Sequence, residues 1–313
     1  MNKKSILMLF ITMVLILSVG VVSGCQSQHS GVIDSVKENN STVAFSTWAW
    51  DATQITNDDF LTDLKYLGIN RVFLNSGWEP YAGLHYLEHN PSKYRDFIGN
   101  ANKEGITVEA LFGNNYWSYV QYRNHMMNEL DLVFNYNKEN PNSRFNALHL
   151  DIEPQALQGF SRNQDNILQE FVSNIEEVRN VVDAHNSSNN DNIKLVLDLP
   201  TWFVDIEYHG KNLLDDLLPL IDEVSLMNYT QDTDTFIHNG KAFLQKAEEY
   251  NVKVNVGLEF QSSFENINVS DFTMEQLENL LSEANTVFKE FDNFTGFSMH
   301  RVNDFKEFVE RNK

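Results

Sequence analysis

The sequence is poor in cysteine, proline and glycine. Its 313 residues include 1 Cys, 6 Pro and 14 Gly, while 42% of the residues are hydrophobic. One cysteine cannot form an internal disulfide, and the apolar fraction is too high for a disordered chain. The length also excludes a disulfide-stapled miniprotein. We therefore expect a large hydrophobic core to hold the fold.

Basic side chains are also scarce. Lys and Arg number 23 against 44 Asp and Glu, which gives a net charge of −21. This charge repels phosphate backbones, so we expect no nucleic-acid partner. The sequence has no glycine-rich phosphate loop and no G-x-S-x-G nucleophile elbow. His85 and His89 lie four residues apart without a third ligand, so we expect neither a metal site nor a cofactor.

The first residues have the three parts of a secretory signal. Lys3 and Lys4 precede an apolar run over residues 6–22, and small residues follow. The segment Val22-Ser23-Gly24-Cys25 resembles the lipobox of bacterial lipoproteins, in which cleavage precedes a cysteine whose sulfur carries a diacylglycerol. The resemblance implies a signal peptide over 1–24, a lipidated Cys25 with a tether over 25–41, and a location on the extracytoplasmic face of a bacterial cell membrane. The alternative is a membrane-spanning anchor beside a free thiol, since about 17–25 apolar residues can cross a bilayer.

From residue 43 onward, short β-rich runs alternate with helical patterns, which is typical of repeated βα units. The predicted strands are 43–48, 71–75, 107–113, 147–153, 194–199, 223–229, 252–259 and 295–300. Eight such units close into a barrel that uses about 250 residues as one domain. We therefore predict the α/β class, with a single (β/α)8 TIM barrel over residues 42–313.

Residue parity within the strands supports a barrel. One parity should face the surrounding helices and be apolar, while the other fills the barrel interior. In the run 147–153 the interior set is His149, Asp151 and Glu153, and in 252–259 it includes Lys253 and Glu259. The polar interior residues crowd the carboxyl ends of the strands, where the active sites of this fold lie.

The strand ends and the loops after them are rich in aromatic, amide and acidic side chains. The predicted substrate-binding residues at this rim are Trp48, Asn75, Trp78, Asn114, Trp117, Asp198, Trp202, Asn228 and His300, and Trp50 lies beside them. All five tryptophans of the chain fall in this set. Flat indole faces stack on sugar rings, while carboxylates and amides bind hydroxyls. We therefore predict a glycan ligand.

The segment Asp151-Ile152-Glu153-Pro154 is the strongest local indication of a catalytic site. Two carboxylates that lie two residues apart on a strand point the same way, and each raises the affinity of the other for a proton. A general acid near neutral pH needs such an increase. The alternative is a buried ion pair or a helix cap.

The segment from Asn146 to Glu153 resembles the D-x-x-D-x-D-x-E motif of family-18, chitinase-type glycoside hydrolases, and Met227-Asn228-Tyr229 resembles that family's M-x-Y. The resemblance implies that Glu153 protonates the glycosidic oxygen of an N-acetylhexosamine-containing glycan. Asp151 would orient the 2-acetamido group as an internal nucleophile, and Tyr229 would bind its carbonyl. The sequence departs from the motif at Asn146 and His149, and His300 ends the eighth strand where the family usually has Trp.

A second resemblance leads to a different mechanism. Retaining (β/α)8 glycosidases carry an acid/base Glu after strand four, often as Asn-Glu-Pro, and a nucleophilic Glu at the end of strand seven. Glu153-Pro154 and Glu259 occupy those places, with Ile152 instead of Asn. Two alternatives without catalysis are also open: a glycan-binding lipoprotein that has lost turnover, and a structural surface protein. We expect a monomer with a glycan as its partner and a membrane attachment through Cys25.

Overall fold

A computed structural model describes residues 43–263 and 267–313. The predicted signal peptide, Cys25 and the tether lie outside the described residues. The barrel strands are β1 (Ala44–Ala49), β2 (Arg71–Asn75), β3 (Thr107–Gly113), β4 (Ala147–Asp151), β5 (Lys194–Pro200), β6 (Glu223–Met227), β7 (Lys253–Glu259) and β8 (Phe294–His300). They follow the predicted runs closely.

The eight strands form one closed parallel barrel, in which β1 pairs with both β2 and β8. The predicted (β/α)8 fold is confirmed. Strand β4 ends at Asp151, two residues before its predicted end, because Glu153 precedes the short 3-10 helix Pro154–Ala156. Proline lacks the N–H that would continue a ladder, so the chain leaves the sheet here. Glu153 thus lies in the loop, one residue beyond Ile152, which follows the end of β4.

A helix follows each strand and packs outside the barrel. These helices are α1 (Asp58–Tyr66), α2 (Pro91–Lys103), α3 (Arg123–Glu139), α4 (Gln164–Asn189), α5 (Leu214–Leu217), α6 (Thr233–Glu248), α7 (Met274–Phe288) and α8 (Val302–Arg311). Helix α1 begins where the Asn57 side chain accepts a hydrogen bond from the Asp59 N–H, which satisfies one of its free donors. None of the helices in 43–263 and 267–313 is long and apolar enough to cross a bilayer.

The two parities of β4 face different surroundings, as predicted. Leu148 and Leu150 belong to the main hydrophobic cluster, whereas His149 is fully buried and contacts polar side chains inside the barrel. The prediction for Lys253 is wrong. Its side chain is exposed at the start of β7 and donates to the Asp292 carbonyl, because the first residue of a barrel strand can turn its flexible amine out to water.

A close approach between β1 and β8 requires glycine at position 296. Gly296 has a φ of +142°, and a Cβ there would lie 2.0 Å from the Ala44 carbonyl oxygen. We expect Gly296→Ala to lower the free energy of unfolding by more than about 3 kcal/mol, because backbone has to move at a strained position. Chemical denaturation measures this loss. Gly105→Ala is the control, since Gly105 also has a positive φ of +75° but has open space around it. Equal losses of stability in the two variants would contradict the close approach of Gly296 to Ala44.

Candidate active site

The carboxyl ends of the barrel strands bring together four acidic residues that are far apart in the sequence. Asp151 ends β4, Asp198 lies near the end of β5 and Glu259 ends β7, while Glu153 follows β4 after one residue. All four carboxylates influence the Tyr229 hydroxyl: burial first, then Glu259, Asp198, Asp151 and Glu153, raise the pKa of Tyr229 well above its usual value. The sequence-predicted acids therefore share one electrostatic environment.

Asp151 and Glu153 form the centre of this group. Burial raises the pKa of Asp151 well above its usual value, and Asp198 and Glu153 raise it further, against a smaller opposite effect of His149. The Asp151 Oδ1 atom is buried and has no hydrogen-bond partner among the described residues. Burial and Asp198 also raise the pKa of Glu153, while Gln155 and His300 lower it. The Glu153 Oε2 atom accepts a bond of 2.8 Å from Gln155 Nε2. Both carboxyls thus favour the protonated form more than free carboxyls do.

Rings form the floor beside these acids. The His300 ring lies 5.7 Å from the Tyr229 ring and 5.3 Å from the Trp48 indole, measured between centroids. A Cβ at position 257 would lie 3.2 Å from Trp48 and 3.5 Å from Tyr229, so glycine leaves room for both rings. Tyr229 is thereby held near the acidic pair.

Glu259 is fully engaged in hydrogen bonds. Its Oε2 atom lies 2.8 Å from His300 Nδ1, and its Oε1 atom accepts the Gln261 N–H at 2.7 Å. On the other side of the imidazole, Trp50 Nε1 donates to His300 Nε2 at 3.3 Å. Glu259, His300 and Trp50 therefore form one connected network.

The predicted binding tryptophans divide into two sets. Trp78 and Trp202 are 62% and 39% exposed at the rim, while Trp48 and Trp117 are only 1% and 2% exposed. Two of the tryptophans predicted at the rim, Trp48 and Trp117, are therefore buried beneath it. Trp48 donates its N–H to Asp198 Oδ2 at 3.0 Å, because its strand parity points the indole into the barrel. Trp117 donates to His125 Nδ1 at 3.0 Å from beneath the rim.

The predicted amide residues serve the backbone around the site. Asn75 donates to the Trp50 carbonyl at 3.0 Å, and Asn114 accepts the Tyr116 N–H at 3.0 Å. Asn228 is 1% exposed and donates to the Phe236 carbonyl at 2.8 Å. These amides shape the loops that surround the acids, and Asn75 and Asn114 also line a neighbouring cavity.

A cavity of about 500 Å³ opens beside the acidic pair. Its wall includes Trp50, Gly113 and Trp117, together with two residues that the sequence analysis did not single out, Tyr81 and Arg301. Gly113 pairs with Asp151 across β3 and β4, so the cavity lies next to the acidic pair, although neither Asp151 nor Glu153 is part of its wall. Tyr81 is 70% exposed in the short hairpin formed by Trp78–Glu79 and Leu84–His85. Pro80 and Gly83 in the turn of that hairpin are the local sequence signal for it.

The predicted absence of a metal centre remains an expectation. Across 43–263 and 267–313, no group of three His, Cys, Asp or Glu side chains has the geometry to hold a metal ion. His85 and His89 do not converge: His85 Nε2 contacts Glu129 Oε2, and His89 Nδ1 lies 2.9 Å from the His85 carbonyl. The short His85–Glu129 contact ties the hairpin to α3.

Comparison with solved structures places this geometry in a known fold. A chitinase from Bacteroides thetaiotaomicron has a TM-score of 0.56 at 12% identity, with coverage of 86% of this chain and 96% of that chain. A family-18 chitinase from Cycas revoluta, in complex with (GlcNAc)4, has a TM-score of 0.55 at 9% identity, with 86% and 99% coverage. The chain has a chitinase-type barrel fold. A family-18 N-acetylglucosaminidase from Paenibacillus barengoltzii has the same barrel, with a TM-score of 0.53 at 10% identity and coverage of 87% and 100%.

The sequence itself gives no closer relative. No protein-family model matches the chain, and no curated protein matches it. At identities of 9–12% the structural likeness shows the chitinase-type fold, while the chemistry has to be argued from the residues of this site.

Proposed function

We propose that the protein is a glycoside hydrolase that cleaves an N-acetylhexosamine-containing glycan, with Glu153 as general acid. The observation that carries this proposal is the pair Asp151 and Glu153, both with raised pKa, beside Tyr229 and an aromatic-walled cavity. The solved structures of this fold include a chitinase bound to (GlcNAc)4, which supports the same substrate class. The pair supplies a proton where the cavity can hold a sugar.

Glu153 is suited to proton donation. Its raised pKa keeps a larger fraction protonated near neutral pH than an ordinary glutamic acid has. As the bond between the sugar C1 and the glycosidic oxygen breaks, that oxygen takes the Glu153 proton and leaves as an alcohol. Glu153 is then a carboxylate that can accept a proton from the attacking water.

Asp151 and Tyr229 are suited to hold the 2-acetamido group. In the proposed reaction the acetamido carbonyl oxygen attacks C1 as the leaving group departs, which forms a cyclic oxazolinium ion. The buried Asp151 accepts the acetamido N–H, and the Tyr229 hydroxyl donates to the acetamido oxygen. Water then opens the ring at C1, gives one proton to Glu153, and restores the acetamido group.

The alternative covalent mechanism would use Glu259 as a nucleophile. Both oxygens of Glu259 are already occupied, by His300 and by the Gln261 N–H. In contrast, Asp151 Oδ1 has no partner in the described part of the chain. This difference favours assistance by the substrate's own acetamido group, with Glu259 as the residue that orients His300.

The departures from the family motif do not remove the chemical groups of the site. Asn146 lies before β4, at the amino end of the barrel, where its side chain accepts the Val108 N–H at 3.4 Å. His149 lies in the interior beneath the pair and bonds to Glu109 and Asp198. Asp151, Glu153 and Tyr229 are all present, so we favour catalysis over a binding protein without turnover.

The same proposal places the enzyme outside the cell. Cys25 would carry a lipid that attaches the chain to the extracytoplasmic face of a bacterial cell membrane. The support is the lipobox-like segment Val22-Ser23-Gly24-Cys25. Glycans of the cell envelope or its surroundings would then be within reach of the tethered barrel.

The requirement for the acetamido group gives a direct test. We expect the protein to release reducing ends from N-acetylglucosamine oligomers and to release at least about 100-fold fewer from the same oligomers after deacetylation, because a free amine cannot supply the attacking oxygen. A reducing-sugar assay on matched acetylated and deacetylated oligomers measures the ratio. Equal cleavage of the two would contradict substrate assistance and favour Glu259 as nucleophile.

A further inference from the structure

The cavity beside the acidic pair carries a fixed positive charge. Its wall includes the aromatic residues Trp50, Trp78 and Tyr81, but it also includes Arg301, whose guanidinium keeps its charge at any ordinary pH. The cavity volume of about 500 Å³ lies within the range of about 300–1,000 Å³ for pockets that hold small molecules. Basic side chains are scarce in this chain, with 23 against 44 acidic ones. A cation in such a wall is suited to a ligand that brings a negative charge.

Asp304 is the partner that the chain itself provides for this cation. Arg301 Nε donates to Asp304 Oδ2 at 2.7 Å, and the two side chains are 34% and 21% exposed. Among the residues that the structure describes, Asp304 is the only one that accepts a hydrogen bond from the Arg301 guanidinium. A guanidinium has five N–H donors in a planar fork, and a single carboxylate engages one edge of that fork. A second edge of Arg301 is therefore available to a ligand.

The charge of Arg301 acts on the site as well as on Asp304. The hydrogen bond to Asp304 raises the pKa of Arg301 above its usual value, while burial opposes this increase. The charge of Asp304, together with Tyr81 and Glu259, raises the pKa further. Tyr81 lines the cavity, and Glu259 lies at the end of β7. The guanidinium is therefore close enough to both sides of the site to attract an anionic group there.

The acids around the cavity are partly compensated. Glu129 also lies in the wall, where its Oε2 atom contacts His85 Nε2 and its Oε1 atom lies 3.7 Å from His125 Nε2. Burial is the first cause that raises the pKa of Asp151 and of Glu153, so these carboxyls carry less negative charge near neutral pH than free carboxyls do. An anionic ligand group can therefore approach Arg301 against reduced repulsion.

We propose that Arg301 selects N-acetylhexosamine glycans that carry a carboxylate on a sugar bound in this cavity. The inference rests on the proposed function and specifies the substrate of the same site more closely. The available edge of the guanidinium donates two parallel hydrogen bonds to the carboxylate, a geometry that a planar fork favours over an ammonium group. Arg301 thus determines specificity and takes no part in breaking the glycosidic bond.

The affinities of matched oligosaccharides test this selection. Isothermal titration in a Glu153→Gln background, which prevents cleavage, compares an N-acetylglucosamine oligomer with two carboxylated oligomers of the same length. One alternates N-acetylglucosamine with N-acetylmuramic acid, which carries its carboxylate on an ether substituent, and the other alternates N-acetylglucosamine with glucuronic acid. We expect at least one of them to bind at least about 10-fold more tightly than the neutral oligomer, because a charge-assisted pair replaces a neutral contact. The preferred oligomer identifies which sugar carries the carboxylate, and no preference for either would overturn the proposal.

Variants at position 301 test whether the arginine causes the preference. Arg301→Gln should reduce the preference to about two-fold or less, because a neutral amide replaces the charged fork. Arg301→Lys keeps the charge without the fork and should retain only part of the preference. The matched control is Arg95→Gln, which removes the same charge from the exposed pair with Asp96 and should retain the full preference. A preference that survives unchanged in Arg301→Gln would overturn the proposal.

The readout is binding and does not depend on turnover. If the unmodified protein hydrolysed none of the three oligomers, the proposed function alone would be refuted. Hydrolysis of the neutral oligomer, combined with equal affinities for all three, would refute only the selection by Arg301.

Discussion

Glu153→Gln should reduce the rate of glycan hydrolysis by about 10²- to 10⁴-fold. The affinity for oligosaccharides should stay within a few-fold of that of the unmodified protein. The amide keeps the size and most of the polarity of the side chain but has no proton of suitable acidity to give. Turnover is measured by release of reducing ends, and affinity by isothermal titration. Glu104→Gln is the control, because Glu104 forms an exposed ion pair with Lys65 away from the site.

The pH dependence of the unmodified protein should agree with the same role. Glu153 has a raised pKa, so its acidic form persists toward neutral pH and is lost as the pH rises through that value. We expect kcat/KM to decline on the alkaline side for this reason. Full hydrolysis by Glu153→Gln, or a loss in Glu104→Gln of the same size, would contradict the assignment of Glu153 as the acid.

Arg71→Met should destabilise the barrel by about 3–5 kcal/mol, because it removes the cation between two buried carboxylates. Arg71 contacts Glu109 through Nε and Nη2 and Glu223 through Nη1, at 2.5–2.6 Å, and its side chain is 11% exposed. Although burial lowers the pKa of Arg71, the two glutamates raise it above its usual value overall. Methionine fills a similar volume without the charge, so the two carboxylates would repel each other in the interior. Chemical denaturation gives the free energy of unfolding.

Arg95→Met is the matched control for this variant. Arg95 pairs with Asp96, but the two side chains are 52% and 65% exposed. Water screens such a pair, so its loss should cost at most about 1 kcal/mol. Equal stabilities of Arg71→Met and Arg95→Met would show that the ion pairs of Arg71 with Glu109 and Glu223 do not contribute to folding.

Strand parity is the reason that much of this architecture could be predicted. In β4 the alternation of apolar and polar residues places His149 inside the barrel and Leu148 and Leu150 outside, and the structure agrees. The parity rule depends only on backbone geometry, which repeats every two residues. It also indicated that Asp151 and Glu153 lie at the carboxyl end, where this fold places its sites.

The same rule could not predict the partners of each side chain. Trp48 was expected at the rim, but its indole reaches down to Asp198, which lies 150 residues away in the sequence. Likewise, the bond of Asn228 to the Phe236 carbonyl depends on how the loop after β6 turns into α6. Such pairings arise from packing between elements, and a single sequence carries no local signal for them.

The cavity wall was the least predictable part of the site. Tyr81 and Arg301 border the same cavity although 220 positions separate them in the numbering, and Tyr81 lies in a hairpin whose strands have two residues each. Short strands of this kind have too few residues for a periodic pattern. The position of Arg301 follows only from barrel closure, which brings β8 next to β1.

Digestion of an N-acetylglucosamine oligomer in H₂¹⁸O, followed by mass spectrometry of the products, tests the central claim most directly. The account predicts shorter acetylated oligomers with a single ¹⁸O at each new reducing end, because water attacks C1 after Glu153 has protonated the leaving oxygen. Oligomer that binds to the protein but stays intact and unlabelled, across N-acetylhexosamine glycans of different linkage, would contradict it.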